Sequence, residues 1–98
     1  MGYRYVAHVA LSDAEVGPLS ERVATARYVP VRSSPSSLAL VFPEDRARSP
    51  WPEDVRVSFG RAICVTFHSA SPAERSQFLR HLQRVLATLG HDLEFEAL

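Results

Sequence analysis

Residues 71–98 read SPAERSQFLRHLQRVLATLGHDLEFEAL, and the rest of the chain is best understood outward from them. Ser71 precedes Pro72 at a first helical position and Glu74 three residues on, an S-x-x-E arrangement in which serine and glutamate cap each other's backbone amides. Phe78, Leu79, Leu82, Val85, Leu86 and Leu89 then recur at helical spacing, with Arg75, Arg80, Gln83 and Arg84 turned away. Gly90 supplies a left-handed stop after Leu89. From Asp92 to Leu98 the period drops to two, with Leu93 and Phe95 opposed to Asp92, Glu94 and Glu96. A helix apolar along one stripe must cover a sheet, and the half-exposed terminal strand that follows belongs to that sheet.

The N-terminal side supplies the remaining strands. Tyr3, Tyr5, Ala7, Val9 and Leu11 alternate with Arg4, Val6, His8 and Ala10, which predicts a first strand over 3–11 covered in part on both faces. Ser12 and Glu15 form a second S-x-x-E box opening a helix over 13–26, with Pro18 either kinking it or marking its true start. Pro30 confines the 27–32 strand to a sheet edge or a bulge. A serine-rich turn at 33–37 returns into an apolar strand over 38–42. Residues 43–54, PEDRARSPWPED, form the longest surface loop. Val55, Val57 and Phe59 lead through a Gly60-Arg61 two-residue turn into a strand over 62–67, or else continue into it as one bent strand with a bulge at Gly60. The order β-α-β-β-β-β-α-β predicts one α+β domain over residues 1–98: an antiparallel or mixed sheet of five to six strands with two helices packed on one face.

Composition narrows the function. The 98 residues carry eleven basic and eleven acidic side chains, a balance that argues against a general nucleic-acid binder or an anionic-membrane binder. Every basic residue except the four histidines is arginine, with no lysine or asparagine and one isoleucine, which reads as codon bias in a GC-rich genome before it reads as function. Cys64 stands alone and cannot form an internal disulfide. No signal peptide and no run of roughly 20 apolar residues is evident, so a cytoplasmic protein without a membrane span is expected.

Catalytic and cofactor signatures are weak. Isolated glycines form no P-loop or dinucleotide fingerprint, and His8, Cys64, His68, His81 and His91 lack metal-ligand spacing, so no cofactor and no metal are expected. Cys64 and His68 would lie about 13 Å apart along one strand, beyond the reach of an ion pair. Cys64 reads as a small buried residue and His68 as a loop histidine satisfying backbone groups. Glu44, Asp45, Glu53 and Asp54 read as solvated loop charges with no environment to split their acidities. An enzyme would have to draw on His8, His68 and Cys64, and no catalytic residue is assigned.

Two elements look suited to recognition. Trp51, held between Pro50 and Pro52 with Glu53 and Asp54 beside it, is a stiffly presented aromatic, or else it folds back to seal the core. Asp92, Glu94 and Glu96 project together at about 7 Å intervals near the terminal carboxylate, an acidic row suited to a basic cleft on a partner.

The helix, glycine and acidic strand of LQRVLATLGHDLEFEAL (82–98), the aromatic opening MGYRYVAHV (1–9) and the helix entry FHSASPAER (67–75) together resemble the small intracellular immunity proteins of bacterial polymorphic toxin systems, including those of contact-dependent growth inhibition. The resemblance covers the last third of the chain and the general architecture. It implies a cytoplasmic, non-enzymatic toxin inhibitor that binds one cognate protein toxin, often a nuclease. Trp51, Glu53, Asp54, Asp92, Glu94 and Glu96 are the expected partner-binding residues. The alternative reading is a small ferredoxin-like ligand-binding or regulatory domain working as a homodimer through an open sheet edge.

Overall fold

A computed structural model describes residues 3–43, 52–68 and 70–98. The elements follow the expected order: β1 (Tyr3–Ala7), α1 (Asp13–Val23), β2 (Val29–Ser34), β3 (Ser37–Val41), β4 (Val55–Ser58), β5 (Ile63–Phe67), α2 (Pro72–Thr88) and β6 (Glu96–Ala97). All pairings are antiparallel and build one six-stranded sheet in the order β2-β3-β4-β5-β1-β6.

Alternation along the strands decides which face the helices cover. Leu38, Leu40, Val55, Val57, Ile63, Val65 and Phe67 share one buried cluster with Leu19 and Val23 of α1 and with Phe78, Leu82, Val85 and Leu86 of α2. The intervening residues Arg56, Ser58, Cys64 and Thr66 point to the opposite face. Both helices therefore sit on one side. Tyr28, Phe42, Phe67 and Phe78 meet edge-on or tilted in the centre of the core, with ring centroids 5.0–6.1 Å apart along the Tyr28–Phe78, Phe78–Phe67, Tyr28–Phe42 and Phe42–Phe78 contacts.

Capping behaves as the serine–glutamate spacing predicts. Ser71 Oγ accepts from the Glu74 amide at 3.2 Å while Glu74 Oε1 accepts from the Ser71 amide at 3.0 Å. At the other end Gly90 has φ of 91°, and the amides of Gly90 and His91 donate to the carbonyls of Ala87 and Leu86 at 3.1 and 2.9 Å. That pair of bonds is the Schellman stop, which needs a residue free of the Cβ penalty at Gly90. α1 runs unbroken from Asp13 with Pro18 inside it, so Pro18 is not its start. It ends at Val23 rather than 26 because Ala24 turns extended and Thr25 exchanges backbone bonds with Tyr28.

Several boundaries are corrected. β1 stops at Ala7, where the Val9 amide turns back to the Ala7 carbonyl at 2.9 Å. This also limits the terminal strand: Ala97 and Glu96 pair with Tyr5 and Val6, the register would carry Phe95 to Ala7, and from Glu94 back β1 offers no partner. Residues 91–95 keep the expected alternation but run beside α2, with Gln83 Nε2 donating to the Leu93 carbonyl at 3.3 Å. The expected serine turn shrinks to Pro35-Ser36, since Ser34 Oγ takes up the Ser36 and Ser37 amides at 3.3 and 3.1 Å. The β4–β5 hairpin is wider than a Gly60-Arg61 turn, because the Phe59 amide donates to Ser36 and the Phe59 ring packs on the core. As expected from Pro30, β2 is an edge strand, and its register shifts between Pro30 and Arg32. Among the described residues no helix is long and apolar enough to cross a membrane.

Candidate functional site

The three acids of the expected row are all exposed, but only Glu96 lies in a strand. Leu93 and Phe95 are half-buried against the core, so Asp92, Glu94 and Glu96 stand exposed on the outer side of the terminal segment. Asp92 and Glu94 border a shallow groove of about 330 Å³ whose far wall is Arg80, Gln83, Arg84 and Ala87 of α2. Glu96 belongs to β6 and lies opposite Val6, on the sheet face away from the helices. The three acids thus divide between a mixed-charge groove and the sheet's outer edge.

Glu53 and Asp54 are a correction: they are neither solvated nor presented to a partner. Each is buried, at 2% and 1% exposure. Glu53 is gripped by Arg56, whose Nε and Nη2 donate to Oε2 and Oε1 at 3.0 and 2.8 Å, the two-point geometry that a planar guanidinium offers a carboxylate. His68 Nε2 lies 3.6 Å from Oε2 and Arg32 Nη2 lies 3.9 Å from Oε1. Burial alone would push the pKa of Glu53 up, but the Arg56 hydrogen bonds and charge, with His68 and Arg32 behind them, outweigh it and hold the carboxyl below its ordinary value. Asp54 Oδ2 accepts the Phe42 amide at 2.7 Å, its own amide donates to Leu40, and its carbonyl receives the His68 amide. Two adjacent acids therefore pin β3, β4 and the end of β5 together. The spacing E-D-V-R carries a signal that sequence reasoning missed: Glu53 and Arg56, three apart at a strand entry, can reach each other. Trp51, Glu44 and Asp45 lie outside the described residues.

The residues an enzyme would need are dispersed. β1 does lie beside β5, with Val6 opposite Cys64. In that register, however, His8 follows the end of β1 next to Ile63 while His68 follows Phe67 next to Tyr3, so the two histidines sit at opposite ends of the pair. Cys64 is half-buried on the face away from the helices, which corrects its reading as a core residue. Among the described residues no three His, Cys, Asp or Glu side chains are grouped to hold a metal ion. Arg75 also departs from expectation. It folds back across β1 with its guanidinium 3.7 Å from the Tyr3 ring centroid and donates to the Ala70 carbonyl at 2.8 Å.

A second polar link ties the two helices. Glu15 accepts the Ser12 amide and hydroxyl, each at 3.0 Å, and meets His91 just beyond the α2 stop. The Ser12 amide first, then His91 and the Ser12 hydroxyl, draw the Glu15 carboxyl from 4.5 down to about 2. A carboxyl lowered on folding stabilises the fold fully above its unfolded value and loses that contribution as pH falls toward the folded one. In urea melts the advantage of wild type over Glu15→Gln should hold constant above pH 4.5 and vanish by about pH 2. An advantage unchanged down to pH 2 would show that the charge of Glu15 does not matter.

No known protein family, curated protein or solved structure matches this chain. Its class rests on the architecture itself: an α+β domain whose six-stranded antiparallel sheet carries both helices on one face.

Proposed function

We propose that this chain is a non-enzymatic immunity protein that binds and neutralises one cognate bacterial toxin, with Asp92, Glu94 and Glu96 contributing to the contact. The observation that supports this reading is that Asp92, Glu94 and Glu96 are all exposed on a terminal segment whose alternate residues, Leu93 and Phe95, are half-buried against the core. Carboxylates on a backbone anchored in this way suit the basic, phosphate-binding cleft of a nuclease. Ion pairs at an exposed rim act mainly on association rate and its salt dependence.

The test mixes the purified protein with the toxin encoded immediately upstream of its gene. Complex formation at micromolar concentration and protection of cells are the expected results, and absence of both overturns the reading. Replacing Asp92, Glu94 and Glu96 together by Ala should slow association roughly tenfold or more at low salt and flatten its salt dependence. Unchanged affinity and unchanged salt dependence would place the contact elsewhere. The alternative, a homodimer joined at a sheet edge, meets an obstacle in β2. That edge exposes Val29 and Val31, yet Pro30 removes a donor and the register shift beside it twists the edge.

A further inference from the structure

Four strand registers, followed across the sheet, align Arg4, Thr66, Arg56, Ala39 and Arg32 in one row perpendicular to the strands. The row lies on the face that the helices leave uncovered. Strands are spaced about 4.8 Å apart, so the arginines recur about every 10 Å with a small residue between each pair. All three are accessible: Arg4 is exposed, and the side chains of Arg56 and Arg32 are 46% and 66% exposed.

We propose that this face is a docking surface for an acidic protein segment laid across the strands, with Arg4, Arg56 and Arg32 receiving its carboxylates. The inference goes beyond the toxin-inhibitor reading and holds whatever the partner's activity.

Three observations favour that occupant. First, the middle arginine is preorganised: Glu53 fixes Arg56 through Nε and one Nη2 hydrogen, leaving three of the five guanidinium donors outside that pair on a side chain 46% exposed. Second, the spacing suits a helix. Carboxylates seven residues apart on an α-helix are separated by about 10.5 Å, close to the spacing of the arginines in the row. Third, Glu96 stands on the same face beyond Val6, at the β6 end, while Arg32 stands at the β2 end. The resulting polarity would orient the partner, with a basic group beside Glu96 and acids along the row.

Other occupants fit less well. The outward positions of the described strands hold no aromatic side chain, so single-stranded nucleic acid would find no stacking platform. Two copies face to face would oppose arginine to arginine.

The test uses a fluorescent, glutamate-rich helical peptide of about 20 residues, long enough at 1.5 Å per residue to span the row. Binding is measured by anisotropy at low ionic strength and located by amide NMR shifts. The expected result is saturable binding with shifts centred on Thr66, Arg56 and Ala39. Arg4→Gln with Arg32→Gln should weaken it roughly tenfold, the sum of two exposed charge contacts. Arg56 is left in place because its removal would strip Glu53 of its two short hydrogen bonds. The control, Arg22→Gln with Arg80→Gln, removes the same charge from the helix side and should change affinity by less than about twofold, since screening confines such effects to about 10 Å. Equal losses in both double variants, no saturable binding, or shifts centred on Arg80 and Arg84 would overturn the proposal. So would tighter binding of a thymidine oligonucleotide of equal charge, which would assign the face to phosphate, or a homodimer dissociated by the Arg4 and Arg32 changes.

Discussion

Phe78→Ala is expected to lower the unfolding free energy by about 3–5 kcal/mol, the largest effect of any single truncation proposed for this chain. Phe78 is fully buried and stands edge-on to Tyr28 and Phe67 at centroid distances of 5.0 and 5.7 Å, with Phe42 tilted at 6.1 Å. Truncation removes the transfer energy of the ring and leaves a cavity bounded by other rings, which cannot collapse without losing their own contacts. A domain of this size has a total stability toward the lower end of about 5–15 kcal/mol, so the variant should be largely unfolded at moderate urea. Phe78→Leu keeps most of the volume and should cost much less. A loss below about 1.5 kcal/mol for Phe78→Ala would mean that the aromatic cluster is not the centre of the core.

Arg56→Ala is expected to cost about 2–3 kcal/mol through a different mechanism. The arginine is half-exposed, so little hydrophobic burial is lost, but Glu53 keeps its buried charge with only His68 and Arg32 at longer range. Isolating a buried charge completely costs about 3–5 kcal/mol, and the two remaining cations place this variant below that range. The pH dependence identifies the cause. In wild type the Glu53 carboxyl titrates below its ordinary value, so its contribution is present above about pH 4.5 and is lost as pH falls through the lower folded value. In the variant, burial dominates and the carboxyl takes up a proton at higher pH, so the penalty should shrink as pH drops below about 5. A penalty independent of pH would point to lost packing of the arginine stem. Glu53→Gln with Arg56→Ala should recover part of the loss.

How much of this was legible in the sequence follows from where the information is local. The α2 helix was readable to within a residue because Ser71, Pro72, Glu74 and Gly90 each act on backbone groups within one turn. The edge position of β2 followed from one missing amide in Pro30. Strand lengths were less legible, since β6 is cut short by a turn at Val9, some ninety residues earlier in the chain. The same limit applied to the candidate sites. Asp92, Glu94 and Glu96 could be placed from a period of two, whereas the burial of Glu53 and Asp54 depends on β3 and β5 arriving beside them. The arginine row was invisible because its members come from β1, β2 and β4 and meet only through register.

The placement of β1 has a consequence for synthesis. β2 to β5 form a meander in which each strand pairs with its successor, so these hairpins can close as the chain leaves the ribosome. β1 emerges first but pairs with β5 and β6, and its contact from Tyr3 to Phe67 closes a loop of about 60 residues. Until the residues after α2 have been made, Tyr5 and Val6 lack a neighbouring strand on one side, and the nascent chain carries a strand with an unpaired edge. Vectorial synthesis therefore leaves one side of β1 to be covered by a segment translated some ninety residues later.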